Sequence, residues 1–333
     1  MMEDGCRVFV VADRNVSSFA RSLSPGSPLL EITADEEHKT IDTVMQICRW
    51  LLAQGADRKS LLYAVGGGVT TDMAGFAASI YKRGIPYVNY PTTLLSQVDA
   101  GIGGKTGVNL DSYKNMIGVI VMPQETRICP EVLKTLPDRE LRSGAAELLK
   151  SFIIDNRSVT TPAGVISDPY RRSVELLSAA QIDFEALEPL IKAAGEVKRR
   201  VVASDPYEKG LRRVLNLGHT YAHAIEWYQH SCPPDASSAV RPLSHGDAVS
   251  VGIVKAARIS AALGLCPASL ADSLREDFLA CSLPVDLPCD EQVLFEAMLK
   301  DKKAEGGSVN FVLIEDIGKV VIRQIDDLHK YKG

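Results

Sequence analysis

The chain has 333 residues, 46% hydrophobic and 24% charged, with 37 basic against 42 acidic side chains and a formal net charge of −5. That length can bury a substantial core in one or two domains. The acidic balance, with a pI near 5.8, argues against nucleic-acid or membrane-surface binding driven by overall charge. The seven cysteines (Cys6, Cys48, Cys129, Cys232, Cys266, Cys281, Cys289) are scattered and odd in number, with no CxxC pair. They read as reduced thiols in a cytoplasm rather than a disulfide framework. No apolar run approaches the roughly 18–20 residues of a membrane span. The start, MMEDGCRVFVVAD, has acids where a secretory signal needs a basic flank.

The first third alternates strands and helices. Arg7 to Ala12 is a β-branched run ending at Asp13, and Glu31 to Thr33 reads as a second strand. Thr40 to Gln54 has helical periodicity, with Gly55 where a helix C-terminus favours it. Leu61 to Val65 is a buried strand running straight into Gly66, Gly67 and Gly68. Thr70 or Thr71 is the expected cap of the next helix, Gly84 its stop, and Tyr87 to Tyr90 the strand that follows. Strand, glycine turn, helix, strand is a βαβ unit, so a parallel sheet with helices on its faces is expected, Rossmann-like in type.

The triple glycine carries the chemistry of that unit. A turn without Cβ atoms can take positive φ and bring backbone N–H groups against a pyrophosphate at a helix N-terminus. It is not the GxGxxG fingerprint. Asp13, at a strand end, is a candidate acceptor for a ribose hydroxyl, although such aspartates more often form turns. The stretch Pro91 to Gly118, PTTLLSQVDAGIGGKTGVNLDSYKNMIG, has no steady period of 2 or 3.6 and reads as a long functional loop. Its Lys105 and Lys114 are candidate phosphate contacts.

After about Leu133 the strands give way to long amphipathic segments, such as Phe184 to Ser204 and Asp247 to Leu263, with late strands at Val309 to Ile314 and Val320 to Ile325. A boundary near 133/134 is therefore expected between an α/β domain and a mostly helical one. Thr160 to Ser167 and His230 to Arg241 read as loops. The segment Leu211 to Ala224, LRRVLNLGHTYAHA, reads as a helix with His219 and His223 at i, i+4. That spacing puts the two Cβ atoms roughly 5–6 Å apart. His245 follows in SHGDAV, and GAAELLK supplies Glu147 and Lys150 on one helical face. Imidazoles with one carboxylate form the ligand set of an open zinc site.

The motifs GGGVTTDMAGF, YPTTLLSQVDAGIGGKTGVN, KN at 114–115, TLPDREL, AAELLK, LNLGHTYAHAIE and HGDAV occur in order across nearly the whole chain. Together they resemble the 3-dehydroquinate synthase family of sugar-phosphate cyclases. The resemblance implies the dehydroquinate synthase-like fold: an N-terminal NAD-binding domain and a helical C-terminal domain that holds zinc, for which cobalt can substitute. It implies Glu147, His219 and His245 as metal ligands. Substrate-binding and catalytic groups fall on Asp99, Lys105, Asn115, Lys150, Lys198, Arg212, Asn216 and His223. One of Lys302 and Lys303, in a DKK motif, reaches the phosphate. The implied NAD contacts are Asp13, Glu36, Lys39, Gly67, Gly68, Asp72, Thr92, Thr93, Lys114 and Thr135.

The implied substrate, 3-deoxy-arabino-heptulosonate 7-phosphate, carries a carboxylate and a phosphate, which lysines and a forked arginine answer. The implied chemistry is transient oxidation by NAD, phosphate elimination, re-reduction, ring opening and aldol closure to 3-dehydroquinate, a step of the shikimate pathway to aromatic amino acids. The family often dimerises, so a homodimer is expected, cytoplasmic from its cysteines and without a nucleic-acid or membrane partner from its charge and hydropathy. Asp247 stands where the family often has glutamate, Tyr113 where glycine is common, and the opening hairpin looks short. Two rivals share parts of the pattern. Other sugar-phosphate cyclases act on substrates without the carboxylate, and metal-dependent polyol or glycerol-phosphate dehydrogenases release NADH.

Overall fold

A computed structural model describes residues 6–111, 113–206, 208, 210–232, 242–302 and 309–331, with the side chains of 299–302 and 328 left aside. The chain divides into two compact units, Met1–Pro137 and Asp138–Gly333.

In the first unit, β1 (Val8–Asp13) is followed by α1 (Ser17–Leu23), β2 (Leu29–Ile32) and α2 (Ile41–Ala53). Next come β3 (Leu61–Gly66), α3 (Gly68–Ile80) and β4 (Tyr87–Pro91). A hairpin of β5 (Lys105–Leu110) and β6 (Tyr113–Ile120) precedes the short β7 (Glu125–Thr126). The sheet order is β2-β1-β3-β4-β7, with every neighbouring pair parallel. All six residues of β3 are buried, as a central parallel strand covered on both faces requires. One face packs Phe9, Leu62 and Ala64 against α2 and α3, which supplies Met73, and the other packs Val10, Tyr63, Val65 and Tyr90.

Three expectations are corrected in this unit. The cap of α3 is Gly67, so Thr70 and Thr71 lie inside the helix rather than before it. None of Gly66, Gly67 and Gly68 has positive φ. Their lack of a side chain is needed instead for close approach, since a Cβ at Gly66 would lie 2.3 Å from Thr70 Oγ1 and one at Gly68 3.0 Å from Ala100 Cβ. The supposed loop 91–118 is also structured, as a π-helical turn Ser96–Ala100 followed by the β5–β6 hairpin. The hairpin's backbones meet at Gly107 and Gly118, which face each other in register.

The second unit contains α4 (Asp138–Ile154), the hairpin β8 (Val159–Thr161) and β9 (Gly164–Ile166), α5 (Pro169–Leu177) and α6 (Phe184–Ser204). It continues with α7 (His219–Ser231), α8 (His245–Ala262), α9 (Ala268–Ala280) and α10 (Glu291–Lys302), and closes with the antiparallel pair β10 (Val309–Asp316) and β11 (Lys319–Ile325). The segment 160–167 is thus a hairpin, held by three residue pairs and too short to show alternation. Of the expected loop 230–241, residues 233–241 lie outside the described residues. Helix α8 is buried along most of its length and packs against α4, α7, α9 and β10. Among the described residues, no helix is long and apolar enough to cross a membrane.

Candidate active site

The segment Leu211–Ala224 is two helices, not one. A 3-10 turn spans Leu211–Asn216, Gly218 breaks the chain at φ +80, and α7 opens on His219. The break keeps His219 and His223 one turn apart on α7, with ring centroids 5.5 Å apart. His245 is the first residue of α8, which Ser244 and Asp247 cap reciprocally. The aspartate that replaces the usual glutamate here accepts from the Ser244 N–H at 2.9 Å and so keeps the capping role.

Glu147, His219 and His245 converge, their ligand atoms all within 4.8 Å of one another. The Glu147 carboxylate is fully buried. Its Oε1 lies 3.7 Å from His219 Nε2 and 3.7 Å from His245 Nε2. Ligands about 2.1 Å from a shared tetrahedral ion sit roughly 3.4 Å apart, so the spacing suits a zinc-sized cation. The outer nitrogens fit as well. His219 Nδ1 lies 3.2 Å from Leu217 O and His245 Nδ1 3.1 Å from Glu226 Oε1. A proton donated from each Nδ1 leaves the Nε2 lone pair facing the site. The donor set therefore fits a divalent ion.

Charge in this region is balanced at close range. Lys150, 2% exposed, pairs with Glu147 and donates to Leu215 O at 2.9 Å. Burial and the Lys150 charge push His219 down to about 3. Burial also opposes a charge on His245, but the Glu147 and Glu226 carboxylates beside it outweigh that and raise it to about 9.

Other expected residues of this unit are distributed around the 3-10 turn. Arg212 is buried, donates to Pro206 O at 2.8 Å and has its backbone held by Asp205. Asn216 donates to Glu208 Oε1 at 3.0 Å. Lys198 is half-buried on α6, and His223 is exposed on α7. Lys302 ends the backbone of α10, while Lys303 lies outside the described residues.

In the first unit, three groups sit at the carboxyl ends of adjacent parallel strands: Asp13 at the end of β1, Gly67 and Gly68 after β3, and Thr92 and Thr93 after β4. That edge is where open α/β sheets bind nucleotides. Asp13 also forms a turn, its Oδ1 accepting from Asn15 N–H at 2.9 Å, and burial raises its pKa. Lys39 is buried, and its Nζ donates to Asp72 Oδ2 and to Asn115 Oδ1, each at 2.6 Å. Asn115 adopts φ +56, with its N–H held at 2.9 Å by Asn109 Oδ1. Asn109 in turn donates to Glu36 Oε2 at 2.9 Å. Asp99 is half-buried on the π-helical turn, and Lys105 and Lys114 are exposed on the hairpin. Thr135 donates its hydroxyl within its own turn, to Val132 O at 3.2 Å.

Three residues escaped the sequence reading: Glu226, Ser143 and Asn109. Glu226 stands seven residues after His219 and three after His223, a spacing that places it on their helical face and could have exposed it. Ser143 precedes Glu147 by one turn. Asn109 offered no such periodic signal.

Comparison with known proteins identifies the family. The family model described as 3-dehydroquinate synthase N-terminal matches residues 29–143, and its C-terminal counterpart matches 144–304. A 3-dehydroquinate synthase of Campylobacter concisus is 39% identical over 296 residues, 89% of this chain and 79% of that protein. A crystal structure of 2-deoxy-scyllo-inosose synthase with carbaglucose-6-phosphate, NAD+ and Co2+ superposes with TM-score 0.82 at 25% identity, covering 98% of this chain and 89% of that one. The 2-epi-5-epi-valiolone synthase of Streptomyces hygroscopicus, with NAD+ and Zn2+, gives 0.78 at 27%, covering 98% and 88%. Matched along both units at this level of identity, the chain belongs to the 3-dehydroquinate synthase family.

Proposed function

We infer that this chain converts 3-deoxy-arabino-heptulosonate 7-phosphate to 3-dehydroquinate and phosphate, making it a carbon–oxygen lyase of the shikimate pathway. The observation that carries the reading is the convergence of Glu147, His219 and His245 in a chain matched by the dehydroquinate synthase family over residues 29–304. Glu147, His219 and His245 would hold zinc or cobalt, and Asp13, Gly67, Gly68, Thr92 and Thr93 would line the NAD site. When bound, the metal lends Lewis acidity to substrate oxygens and NAD a reversible two-electron acceptor, so that no net oxidation is required.

The chain's own residues do the rest. The Lys150 ammonium, fixed between Glu147 and Leu215 O, offers a preorganised positive charge to developing negative charge on substrate oxygen. Arg212 supplies the planar fork for an anionic substrate group, and Lys105, Lys198 and one of Lys302 and Lys303 supply further cations. Asn115 and Asn216 orient hydroxyls, Asp99 accepts from one, and His223 handles a proton beside the substrate. Lys39 ties Asp72 to Asn115, and Lys39, Asp72, Glu36, Lys114 and Thr135 complete the cofactor contacts. A homodimer working in the cytoplasm completes the reading.

The structural neighbours raise a second reading, a cyclase for a substrate lacking the carboxylate. They share 25% and 27% identity with this chain, against 39% for the dehydroquinate synthase of Campylobacter concisus, which favours the heptulosonate. The test supplies each sugar phosphate separately with NAD and zinc and measures inorganic phosphate. Release from the heptulosonate phosphate is expected, and release from glucose 6-phosphate or sedoheptulose 7-phosphate alone would move the assignment to the second reading.

A further inference from the structure

Helix α8 meets α4 and the residue that opens α7 backbone to backbone, next to each imidazole of the metal trio. At its start, Gly246 follows His245, and a Cβ there would lie 1.9 Å from the Ser143 carbonyl oxygen of α4. The Gly246 N–H also donates to the buried Ser143 hydroxyl at 3.1 Å. Ser143 lies one turn before Glu147 on α4. Six residues further along α8, a Cβ at Gly252 would lie 2.0 Å from the Gly218 carbonyl oxygen, and Gly218 immediately precedes His219. A Cβ on Gly218 would itself meet Val249 O at 2.8 Å. Interaxial spacing follows the side chains at a helix contact, and here hydrogen atoms alone set it.

Placement relative to the ligands gives these contacts their meaning. One contact fixes α8 against the helix of Glu147, the other against the helix of His219, and α8 itself begins on His245. Moving α8 outward by the width of one methyl group would carry His245 away from both other ligands. Metal affinity responds to displacements of that size, because ligands must be held close to their final geometry before the ion arrives.

We propose that the Gly246–Ser143 and Gly252–Gly218 contacts set the convergence of Glu147, His219 and His245, making Ser143 and Gly252 positioning residues of the metal centre. The proposal rests on reading that trio as the metal ligands. Neither residue touches the ion; each acts through the helix carrying a ligand.

Cobalt(II) titration of the full-length, metal-stripped protein, followed by the visible absorption of the bound ion, tests this without reference to turnover. Ser143→Ala keeps the packing and removes only the acceptor for the Gly246 N–H; it should bind cobalt about 10-fold more weakly, and Gly252→Ala about 100-fold more weakly. Gly264→Ala is the control. It lies just past the end of α8 at φ +70 with no atom within 4 Å of an added Cβ, so it should lower the thermal midpoint and leave cobalt affinity unchanged. Wild-type affinity in a folded Gly252→Ala and in Ser143→Ala overturns the proposal. So does an equal affinity loss in Gly264→Ala for an equal loss of midpoint. Should Gly252→Ala not fold, Ser143→Ala decides alone. A wild-type protein that binds no more cobalt than Glu147→Gln removes the ligand reading itself, an outcome distinct from intact binding in all the variants.

Discussion

Glu226 Oε1 lies 3.1 Å from His245 Nδ1, on the far side of the ring from the Nε2 that faces Glu147. A carboxylate behind an imidazole fixes its tautomer and orientation and raises its basicity toward a metal. Removing the carboxylate as Glu226→Ala should therefore weaken zinc or cobalt binding by about 10–100-fold, with Glu226→Gln losing less because it retains an acceptor oxygen. His245→Ala should lose the ion more completely than either. Metal per chain after equilibrium dialysis ranks the three, and a Glu226→Ala protein that retains wild-type metal content would contradict the assignment.

Arg212 is buried within the 3-10 turn, its guanidinium donating to Pro206 O. Lysine keeps the charge there but loses the planar fork. Arg212→Lys should lower kcat/KM for the substrate by roughly 10–100-fold, the range of a charged hydrogen bond, with NAD affinity close to wild type. Substrate kinetics alongside NAD fluorescence titration separate the two effects, and equal losses in both would count against the role.

Lys39 binds Asp72 and Asn115 together, so it supports both the nucleotide edge and the hairpin. Lys39→Met takes the cation from a largely buried carboxylate, which has a large desolvation cost if left unmatched. Weaker NAD binding with unchanged metal content is the expected pattern, read by cofactor titration and metal analysis on the same preparation. A parallel loss of metal would show that the damage is not local.

The buried Glu291 carboxylate holds Lys255 Nζ at 3.0 Å and Tyr221 Oη at 2.8 Å, joining α10 to α8 and α7. Lys255→Met leaves that carboxylate without its cation and should cost about 3–5 kcal/mol. A double change, Lys255→Met with Glu291→Leu, removes both charges and should recover much of the loss. Urea midpoints of the single and double variants provide the comparison, and strict additivity would sink the argument.

Asp155 bridges Arg157 and Arg200, each at 2.8 Å. Burial alone would raise its pKa, but hydrogen bonds from the two arginines hold it below 3.8. A carboxyl whose folded pKa is depressed stabilises the fold above its unfolded value, and that share is lost as pH falls through the folded value. The stability gap between wild type and Asp155→Asn should therefore be full at pH 7 and close on acidification below about pH 4. Urea midpoints across that range give the test; a gap that widens in acid reverses the sign and excludes the ion-pair account.

Much of this was legible in the sequence because the deciding signals are periodic. The i, i+4 spacing of His219 and His223 and the i, i+3 spacing of Glu147 and Lys150 each belong to one regular element, and the strand–glycine–helix pattern at 61–80 to two consecutive ones. What was hidden depends on tertiary contact. Nothing in LNLGHT reveals that Gly218 takes positive φ and divides the segment in two. The hairpin at 105–120 shows no alternation because β6 is exposed along nearly its whole length. Its pairing instead requires Gly107 and Gly118 to meet, eleven residues apart. Ser143 gains its role only when Gly246 arrives against it from 103 residues away.

The central claim is that oxidation is repaid within each turnover, and it can be measured directly. With the heptulosonate phosphate in large excess over NAD, phosphate should accumulate to many equivalents per NAD while absorbance at the NADH band stays flat. Phosphate that stops at one equivalent per NAD, or NADH that rises in step with substrate consumed, would contradict the account and mark the chain as a dehydrogenase.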